Sequence, residues 1–528
     1  MVFEHYLLLL LTILPLINRF SFWFFTIQLK EYRRDRFKEY LLTPQGKKAL
    51  FNIWSVIELP LFLLSIIIFV DPPFEYIIYN VLFTFFLIQN IFVARKILTG
   101  KIIKPSLTGR LLLTLGILVF GLTIDLFFII FYGFENFLYT YVLSLFLFTP
   151  LYIFLVILIS LPLVNYFKNK KINKAIRKSS RNKKTIKIGI TGSYGKSSVK
   201  EYLASILEQD GTTLKTPENI NTELGVSSIV MNKLNNTYKY FIAEMGAYKI
   251  GEINILGKIV DHKYGFLTAI GNQHLGLFGS QSNIKTGKAE IANSILKNKG
   301  ILYVNWDDNF IREIEFNKKL NIIKYGNYKG SDAIYSILNT REAVTTFTIE
   351  YKKNIATFET KLLGKHNIVN LTGVISLCYD LGLDASQIKK YLENIKVPKN
   401  TLNVINSENF ILIDDTYNLS EDGLYAGLDA MNSFNDNKVL VMDDILELGR
   451  DAKNIHYVVG KFIAKRNDIS KVLFCGVNYK KDFIKGLVDG GFLKKNIVRT
   501  LDKVEKNSII LFEGRGSGKY LDKLKQNV

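Results

Sequence analysis

Cysteine is scarce in this chain of 528 residues, which contains only Cys378 and Cys475. Two cysteines exclude a disulfide framework and any metal cluster bound by cysteine alone. A reducing compartment fits this composition, although the composition does not require one. Internal repeats and low-complexity tracts are also missing, and hydrophobic residues make up 48% of the chain, which excludes a disordered protein. The length exceeds that of a single core and indicates three or four domains of roughly 100–200 residues.

Acidic residues are few in the N-terminal third. Residues 1–187 contain 23 Lys and Arg but only 9 Asp and Glu, a net charge of +14 out of +21 for the whole chain. The same region contains five apolar stretches, each close to the ~20 residues that cross a bilayer. These stretches cover residues 6–27, 51–70, 76–94, 111–132 and 137–165. The sequence therefore predicts about five transmembrane helices.

The connections between these stretches differ in charge. Seven basic residues lie in 29–50, five in 95–110 and ten in 167–187, whereas 71–75 and 133–136 contain none. The positive-inside rule then places the N-terminus outside and the chain after the last helix in the cytosol. We expect a multi-pass protein of the inner (cytoplasmic) membrane with lipid as a partner. Nucleic acid is not expected, because no recognisable binding module follows.

Several charged residues in this region suggest specific contacts. Arg19 and Glu58 lie at a similar depth in the first two predicted helices, about 12 Å from the cytosolic side. We expect them to pair, because unpaired charges are costly there; the alternative is that each side chain reaches the interface alone. Asp125 has no evident partner. Residues 29–42 are predicted to form an interfacial helix whose arginines suit a phosphate head group, with a solvated connector as the alternative.

After residue 185 the pattern changes to short strands that alternate with helical stretches. Strands are predicted at 185–191, 238–246, 264–271 and 300–308, an antiparallel side sheet at 333–363, and a renewed alternation from about residue 399. The predicted fold is an N-terminal α-helical membrane domain followed by two α/β domains. These are a central P-loop-type ATPase domain and a smaller C-terminal Rossmann-like domain. The predicted boundaries are 1–187, including a basic linker at 168–187, then 188–398 and 399–528.

A glycine-rich turn lies between the first of these strands and a helix. It reads Gly192-Ser193-Tyr194-Gly195-Lys196-Ser197. Such a turn directs backbone N–H groups at phosphate oxygens, while the lysine reaches the terminal phosphates and the serine hydroxyl binds Mg²⁺. The first glycine is two residues closer to Lys196 than in the full P-loop signature. A chance turn is therefore the alternative.

Three further residues are candidates for a metal site. Glu244 ends an apolar strand, where an isolated carboxylate would be costly, and His274 follows the next strand. The carboxyl ends of parallel strands meet at one edge of a sheet, so both side chains could bind a metal there. Lys288 lies 14 residues further along the chain. Taken alone, a single histidine is more often structural, and a single helical lysine is more often exposed.

Taken together, these segments resemble the ATP-dependent Mur ligases. The shared motifs, in order, are TGSYGKSS, PENINTELG, AEMGAYKIGEI, NQHLGLFGS with GKAEI, NWDD, GKHNIVN and DDTYN. The resemblance covers about residues 188–528. It does not cover residues 1–187, where the family normally has a soluble domain that binds the UDP-sugar end of the substrate.

The resemblance implies a role for each matching residue. ATP would be bound by Gly192, Ser193, Gly195, Lys196, Ser197, Ser198, Asn305, Asn367 and Asp415; two Mg²⁺ ions by Ser197, Glu244, His274 and a carbamylated Lys288; and the acceptor by Asn219 and Asn221. Lys196, His274 and Lys288 are the implied catalytic residues.

The activity implied is ATP-dependent joining of a carboxylate and an amine through an acyl phosphate. The acceptor would be a muropeptide-type carboxylate, either UDP-linked or lipid-linked, and the amine an amino acid or dipeptide used in cell-envelope synthesis. Three alternatives remain: a poly-γ-glutamate-type amide ligase, an ATP-driven membrane transporter or gate, and a non-catalytic scaffold.

Overall fold

The computed structural model divides the chain into two compact units, Met1–Asn169 and Lys170–Val528. It describes residues 2–70, 75–131, 137–271, 275–341, 344–362, 364–395, 402–416, 419–434, 437–446, 448–502 and 504–525. His274, one of the predicted metal ligands, lies outside the described residues.

The first unit consists of helices. They are α1 (Val2–Leu29), α2 (Arg34–Leu42), α3 (Pro44–Leu50), α4 (Ile53–Val70), α5 (Glu75–Leu98), α6 (Gly109–Phe131), α7 (Leu138–Leu147) and α8 (Thr149–Arg181), which continues into the second unit. Four of them, α1, α5, α6 and α8, are long and apolar enough to cross a membrane. A fifth span is possible if α3 and α4, which meet at an angle of 41°, count as one.

The predicted span at 137–165 is broken in two. α7 ends where the backbone N–H of Phe148 donates to the carbonyl of Ser144 at 2.8 Å, and α8 starts at the next residue. Pro150 lies in the first turn of α8, where its missing N–H costs no helical hydrogen bond. The proline therefore favours a helix start at this point over one continuous span.

The predicted linker at 168–187 is helical as far as Arg181. The side chains of Ile172 and Ala175 are buried in a hydrophobic core of the second unit. The Lys178 Nζ donates to the carbonyl of Met231 at 2.7 Å, and Ser179 Oγ donates to that of Val260 at 2.9 Å. The sequence suggested a linker because of its many charges, whereas the apolar residues at helical spacing decide the structure.

The second unit contains two sheets. The nine-stranded sheet has the order β2-β3-β1-β4-β5-β6-β7-β8-β9 and the five-stranded sheet the order β10-β11-β14-β12-β13. The strands are β1 (Ile186–Thr191), β2 (Thr213–Lys215), β3 (Tyr240–Glu244), β4 (Tyr264–Leu267), β5 (Ile301–Asn305), β6 (Asn321–Gly326), β7 (Ala333–Arg341), β8 (Val344–Tyr351), β9 (Asn354–Thr360), β10 (Asn403–Asn406), β11 (Phe410–Asp415), β12 (Lys438–Met442), β13 (Ile469–Phe474) and β14 (Ser508–Glu513).

Helices cover these sheets. They are α9 (Lys196–Asp210), α10 (Glu223–Asn232), α11 (Glu252–Val260), α12 (Leu275–Phe278), α13 (Gln281–Ala289), α14 (Ile291–Lys297), α15 (Asn309–Arg312), α16 (Lys365–Asp380), α17 (Ala385–Leu392), α18 (Glu421–Ala430), α19 (Ala452–Ala464), α20 (Lys480–Asp489) and α21 (Gly518–Lys525). The six strands β1 through β6 pair with their neighbours in the sheet in parallel, which confirms the predicted α/β architecture.

The β-rich segment 333–363 does not form a separate side sheet. β7, β8 and β9 pair antiparallel with one another, but β7 also pairs parallel with β6. The three strands therefore extend the main sheet.

Side chains alternate between two cores on β3. Tyr240 and Ile242 face the core that contains α9 and α16, whereas Phe241 and Ala243 face the core that contains α10 and α11. Burial on both faces explains why these strands are continuous apolar runs in the sequence. Glu244 ends β3 and pairs in register with Ile190 of β1, so its carboxylate lies at the edge where the phosphate loop begins.

Candidate active site

The loop between β1 and α9 has a backbone that only glycine fits well. Gly192 has φ +153°, and a Cβ at this position would lie 2.1 Å from Thr268 Oγ1. Gly195 has φ +80° and immediately precedes the first residue of α9. Ser193 joins the loop to the end of β4, because its N–H donates to the carbonyl of Ala269 at 2.7 Å. The loop is thus held at the N-terminus of α9, where a helix attracts anions.

Lys196 and Ser197 begin α9 and lie over the loop. The Nζ of Lys196 donates to the carbonyls of Gly192 and Ser193, each at 2.8 Å. Ser197 Oγ donates to Glu244 Oε2 at 3.0 Å. Two residues predicted to bind phosphate and metal are therefore next to the carboxylate predicted to bind the second metal.

Glu244 is buried and surrounded by donors. Besides Ser197, Lys200 Nζ lies 3.1 Å from Glu244 Oε2, and Asn221 Nδ2 donates to Glu244 Oε1 at 3.0 Å. Burial alone would raise the pKa of this carboxyl, but the ammonium groups of Lys200 and Lys196 outweigh burial and lower it. Glu244 is therefore a carboxylate in a position that is 3% exposed.

The sequence analysis missed Lys200, although it is part of this cluster. Its side chain is 1% exposed and its nearest acid is Glu244. Lys200 lies four residues after Lys196, which places both on one face of α9. That spacing was the available signal in the sequence.

Lys288, on α13, is also buried and lies near the chain that follows β3. It is 1% exposed, so the alternative of an exposed surface lysine is wrong. Its Nζ lies 3.4 Å from the carbonyl of Ala247, three residues after Glu244, and 5.9 Å from the centre of the Phe278 ring. Burial, followed by the charge of Lys196, lowers the pKa of Lys288 well below the usual lysine range. An amine in this environment gives up its proton more readily than an exposed lysine.

The remaining predicted residues have contacts within the protein. Asn305 Nδ2 donates to the carbonyl of Thr268 at 2.9 Å and so joins β5 to β4 near the loop. Asn367, at the start of α16, accepts from the Tyr202 hydroxyl at 2.8 Å. Asn219 has φ +62° in the segment before α10, two residues from Asn221.

Asp415 lies in the five-stranded sheet, at the end of β11. Glu513 is its register partner on β14, and the sequence analysis missed it. Glu513 is fully buried, and neither carboxylate oxygen has a hydrogen-bond partner among the described residues. Burial raises the pKa of Asp415 and, with Asp415 next to it, raises that of Glu513 well above the usual range.

The residues at the phosphate loop fit Mg²⁺. Their oxygen donors, the Ser197 hydroxyl and the buried Glu244 carboxylate, are the kind that this hard cation prefers. The described residues contain no cluster of three or more His, Cys, Asp or Glu that could hold a metal by itself. Any full ligand set must therefore include other groups, such as nucleotide phosphates, water or residues outside the described ranges.

Comparisons with known proteins agree with this geometry. Residues 190–378 match the Mur ligase middle domain. A UDP-N-acetylmuramoyl-tripeptide–D-alanyl-D-alanine ligase of Haemophilus influenzae is 29% identical over 342 residues, which cover 62% of this chain and 73% of the relative. The enzyme of the same name from Escherichia coli is 30% identical over 292 residues, 55% of this chain and 64% of the relative. The chain thus spans less than two thirds of the Escherichia coli relative.

The second unit also resembles solved structures of MurF enzymes in its fold. MurF from Acinetobacter baumannii superposes with a TM-score of 0.61 at 26% identity, over 68% of this chain and 80% of that one. MurF from Thermotoga maritima in complex with ADP has the same fold, with a TM-score of 0.59 at 23% identity.

The fold and the phosphate loop are those of the ATP-dependent ligases that form amide bonds, the class of these relatives. Within that class the chain is similar to the Mur ligases, and in particular to UDP-N-acetylmuramoyl-tripeptide–D-alanyl-D-alanine ligases. This confirms the resemblance seen in the motifs.

Proposed function

We propose that this protein is a membrane-bound Mur-type ligase that joins a muropeptide-type carboxylate to the amino group of an amino acid or dipeptide. The observation that carries the proposal is the cluster of Lys196, Ser197 and Glu244 at one edge of the nine-stranded sheet. The family match and the relatives' names support the choice of substrates.

The chain's own residues would position the reactants. The loop from Gly192 to Gly195 would hold the phosphates through backbone N–H groups, and Lys196 would turn from its own loop carbonyls to the transferred phosphate. Mg²⁺ held by Ser197, Glu244, His274 and Lys288 would neutralise charge between ATP and the acceptor carboxylate. Asn221, which already binds Glu244, would orient the acceptor side of the site together with Asn219.

Lys288 would serve as a carbamylated lysine. Among the described residues, the buried Lys288 amine has a carbonyl at 3.4 Å but no ion pair with an acid, which a buried ammonium requires. The neutral amine would form an N–C bond to CO₂ and release one proton to solvent, which leaves a carbamate whose negative charge suits a divalent cation. Ser198, Asn305, Asn367 and Asp415 would complete the nucleotide site.

The membrane location rests on the four apolar helices of the first unit and on the basic connections between them. We propose an N-terminus outside, catalytic domains in the cytosol, and lipid as a partner. An acceptor linked to a lipid would then be available at the membrane surface.

The test is an assay of the purified chain with a panel of muropeptide acceptors and amines. ADP release that requires both acceptor and amine, with an amide product of the expected mass, is the expected result. Lys196→Ala should abolish both signals. Release of ADP without dependence on either substrate would favour a transporter or gate, and no ADP release with any pair would favour a scaffold. A product that grows by repeated addition would favour a poly-γ-glutamate-type ligase.

A further inference from the structure

Glu244 already has a cation beside it. Lys200 Nζ lies 3.1 Å from Glu244 Oε2, and the two side chains are 1% and 3% exposed. The other acid near Lys200 is Glu201, at 3.8 Å, and Glu201 forms a shorter ion pair with Lys215. Glu244 is therefore the main partner of the Lys200 ammonium.

Both groups would be costly to bury alone. A buried carboxylate without a compensating charge destabilises the folded state or takes up a proton. A buried ammonium without a partner also destabilises the folded state, or it loses a proton. Ser197 and Asn221 donate hydrogen bonds to Glu244 but supply no positive charge. Lys200 supplies it in a direct ion pair, and the Lys196 ammonium adds to it from a longer distance.

The position of Lys200 also affects any metal that binds there. A divalent cation bound by Glu244 and Ser197 would lie close to the Lys200 ammonium, and like charges at such distances in a buried site repel strongly. Lys200 therefore stabilises the buried Glu244 carboxylate when no metal is bound. It also lowers the affinity of the site for a divalent cation.

We propose that Lys200 is a positioning residue that takes the place of the divalent cation beside Glu244 and holds this carboxylate against the loop when no metal is bound. The proposal rests on the proposed function only in assuming that the site binds a divalent cation. Its effect is to keep metal affinity moderate, so that metal is retained mainly when nucleotide phosphates add negative charge.

The experiment measures Mn²⁺ binding to the full-length chain without nucleotide, by electron paramagnetic resonance of free Mn²⁺. Lys200→Met keeps the length of the side chain and removes its charge. The expected result is at least a tenfold gain in Mn²⁺ affinity and a larger rise in melting temperature on adding Mn²⁺ than in the wild type, since binding then supplies the missing charge. Lys200→Arg should behave like the wild type.

Lys187→Met is the matched control. Lys187 is also buried, donates to the carbonyl of Ser179 at 2.6 Å and lies 3.8 Å from Asp261. Removing the Lys187 ammonium should lower the melting temperature but leave the affinity for Mn²⁺ unchanged. If Lys200→Met folds only when Mn²⁺ is present, the proposal is supported.

Two results would overturn the proposal. Unchanged or weaker Mn²⁺ affinity in Lys200→Met, with normal binding in the wild type, refutes the role of Lys200 and leaves the proposed ligase intact. No Mn²⁺ binding by the wild type, with or without ADP, refutes the metal site on which both rest.

Discussion

Glu244 and Lys288 illustrate how burial changes the chemistry of a single residue. Glu244 is held as a carboxylate because two lysine ammonium groups lie near it, whereas the one hydrogen-bond partner of Lys288 Nζ among the described residues is a carbonyl. The same low-dielectric surroundings therefore favour the charged form of one residue and the neutral form of the other. Opposite outcomes at neighbouring positions are typical of catalytic sites.

Lys288→Ala should lose most ligase activity, because the carbamate that we propose as a metal ligand cannot form. Bicarbonate or a short carboxylic acid should restore part of the activity by supplying a carboxylate. The measurement is the rate of acceptor-dependent ADP release. Lys285→Ala is the control, since Lys285 lies on the same helix but pairs with Glu313 at the surface. Full activity of Lys288→Ala would refute the role.

His262 should make the fold sensitive to acid. It is fully buried, and neither ring nitrogen has a hydrogen bond of normal geometry among the described residues. Burial lowers its pKa from 6.5 to about 4. Between pH 6.5 and pH 4 the His262 ring takes up a proton in the unfolded chain but not in the folded protein. The free energy of unfolding therefore falls over this range as the pH drops, by up to about 3 kcal/mol.

The check compares urea unfolding of the wild type and of His262→Leu at pH 7 and pH 4.5. The variant should lose less stability on acidification than the wild type. Parallel losses in both proteins would show that other groups, such as His456, cause the acid sensitivity.

At the scale of helices, a polar cluster joins α1, α4 and α5. Arg19 Nη1 lies 2.7 Å from Glu58 Oε1, Arg19 Nη2 donates to Ser55 Oγ at 3.0 Å, and Gln89 Nε2 donates to Glu58 at 3.3 Å. This confirms the predicted pair, and Glu58 is fully buried. Asp125 also has a partner that the sequence did not reveal, the Tyr141 hydroxyl at 3.1 Å.

Exchanging the charges tests the pair. Arg19→Glu and Glu58→Arg should each lower the yield of folded protein, because an unpaired buried charge costs about 3–5 kcal/mol. The double variant should recover most of that yield, measured by size-exclusion chromatography in detergent. Glu58→Gln, which keeps the shape and removes the charge, should fall between wild type and the single exchanges. Normal folding of both single variants would contradict a role for the pair.

The sequence predicted those features that depend on local pattern. The apolar runs identified β1, β3, β4 and β5, and the glycines at 192 and 195 identified the loop. It did not reveal Lys200, Glu513 or the short strand β2, because their positions are set by contacts between distant segments. The charges at 168–187 suggested a linker, but burial of Ile172 and Ala175 shows that part of this segment is a packed helix. The role of His274 and the domain boundary at 398/399 remain predictions, because both lie outside the described ranges.

At the scale of the whole molecule, the helical first unit bears on where the acceptor binds. The relatives are named for UDP-linked substrates, but the first unit of this chain offers apolar helices and a basic helix, α2. Within that segment Arg36 is buried and pairs with Glu31 at 2.8 Å, so it is not available to a ligand as the sequence suggested. Arg34 is exposed and lies 5.7 Å from the centre of the Phe154 ring.

If the acceptor is lipid-linked, the enzyme in detergent should use a lipid-linked muropeptide far better than a UDP-linked one. Arg33→Ala with Arg34→Ala should remove that preference, since guanidinium groups bind pyrophosphate through paired hydrogen bonds. Lys47→Ala with Lys48→Ala, two exposed cations on the neighbouring α3, removes equal charge and should leave the preference in place. The measurement is kcat/KM for each acceptor. A helical unit that binds the lipid carrier must favour the lipid-linked acceptor. Equal kcat/KM of the wild type for both acceptors would therefore contradict lipid binding and mean that the helices only hold the enzyme at the membrane.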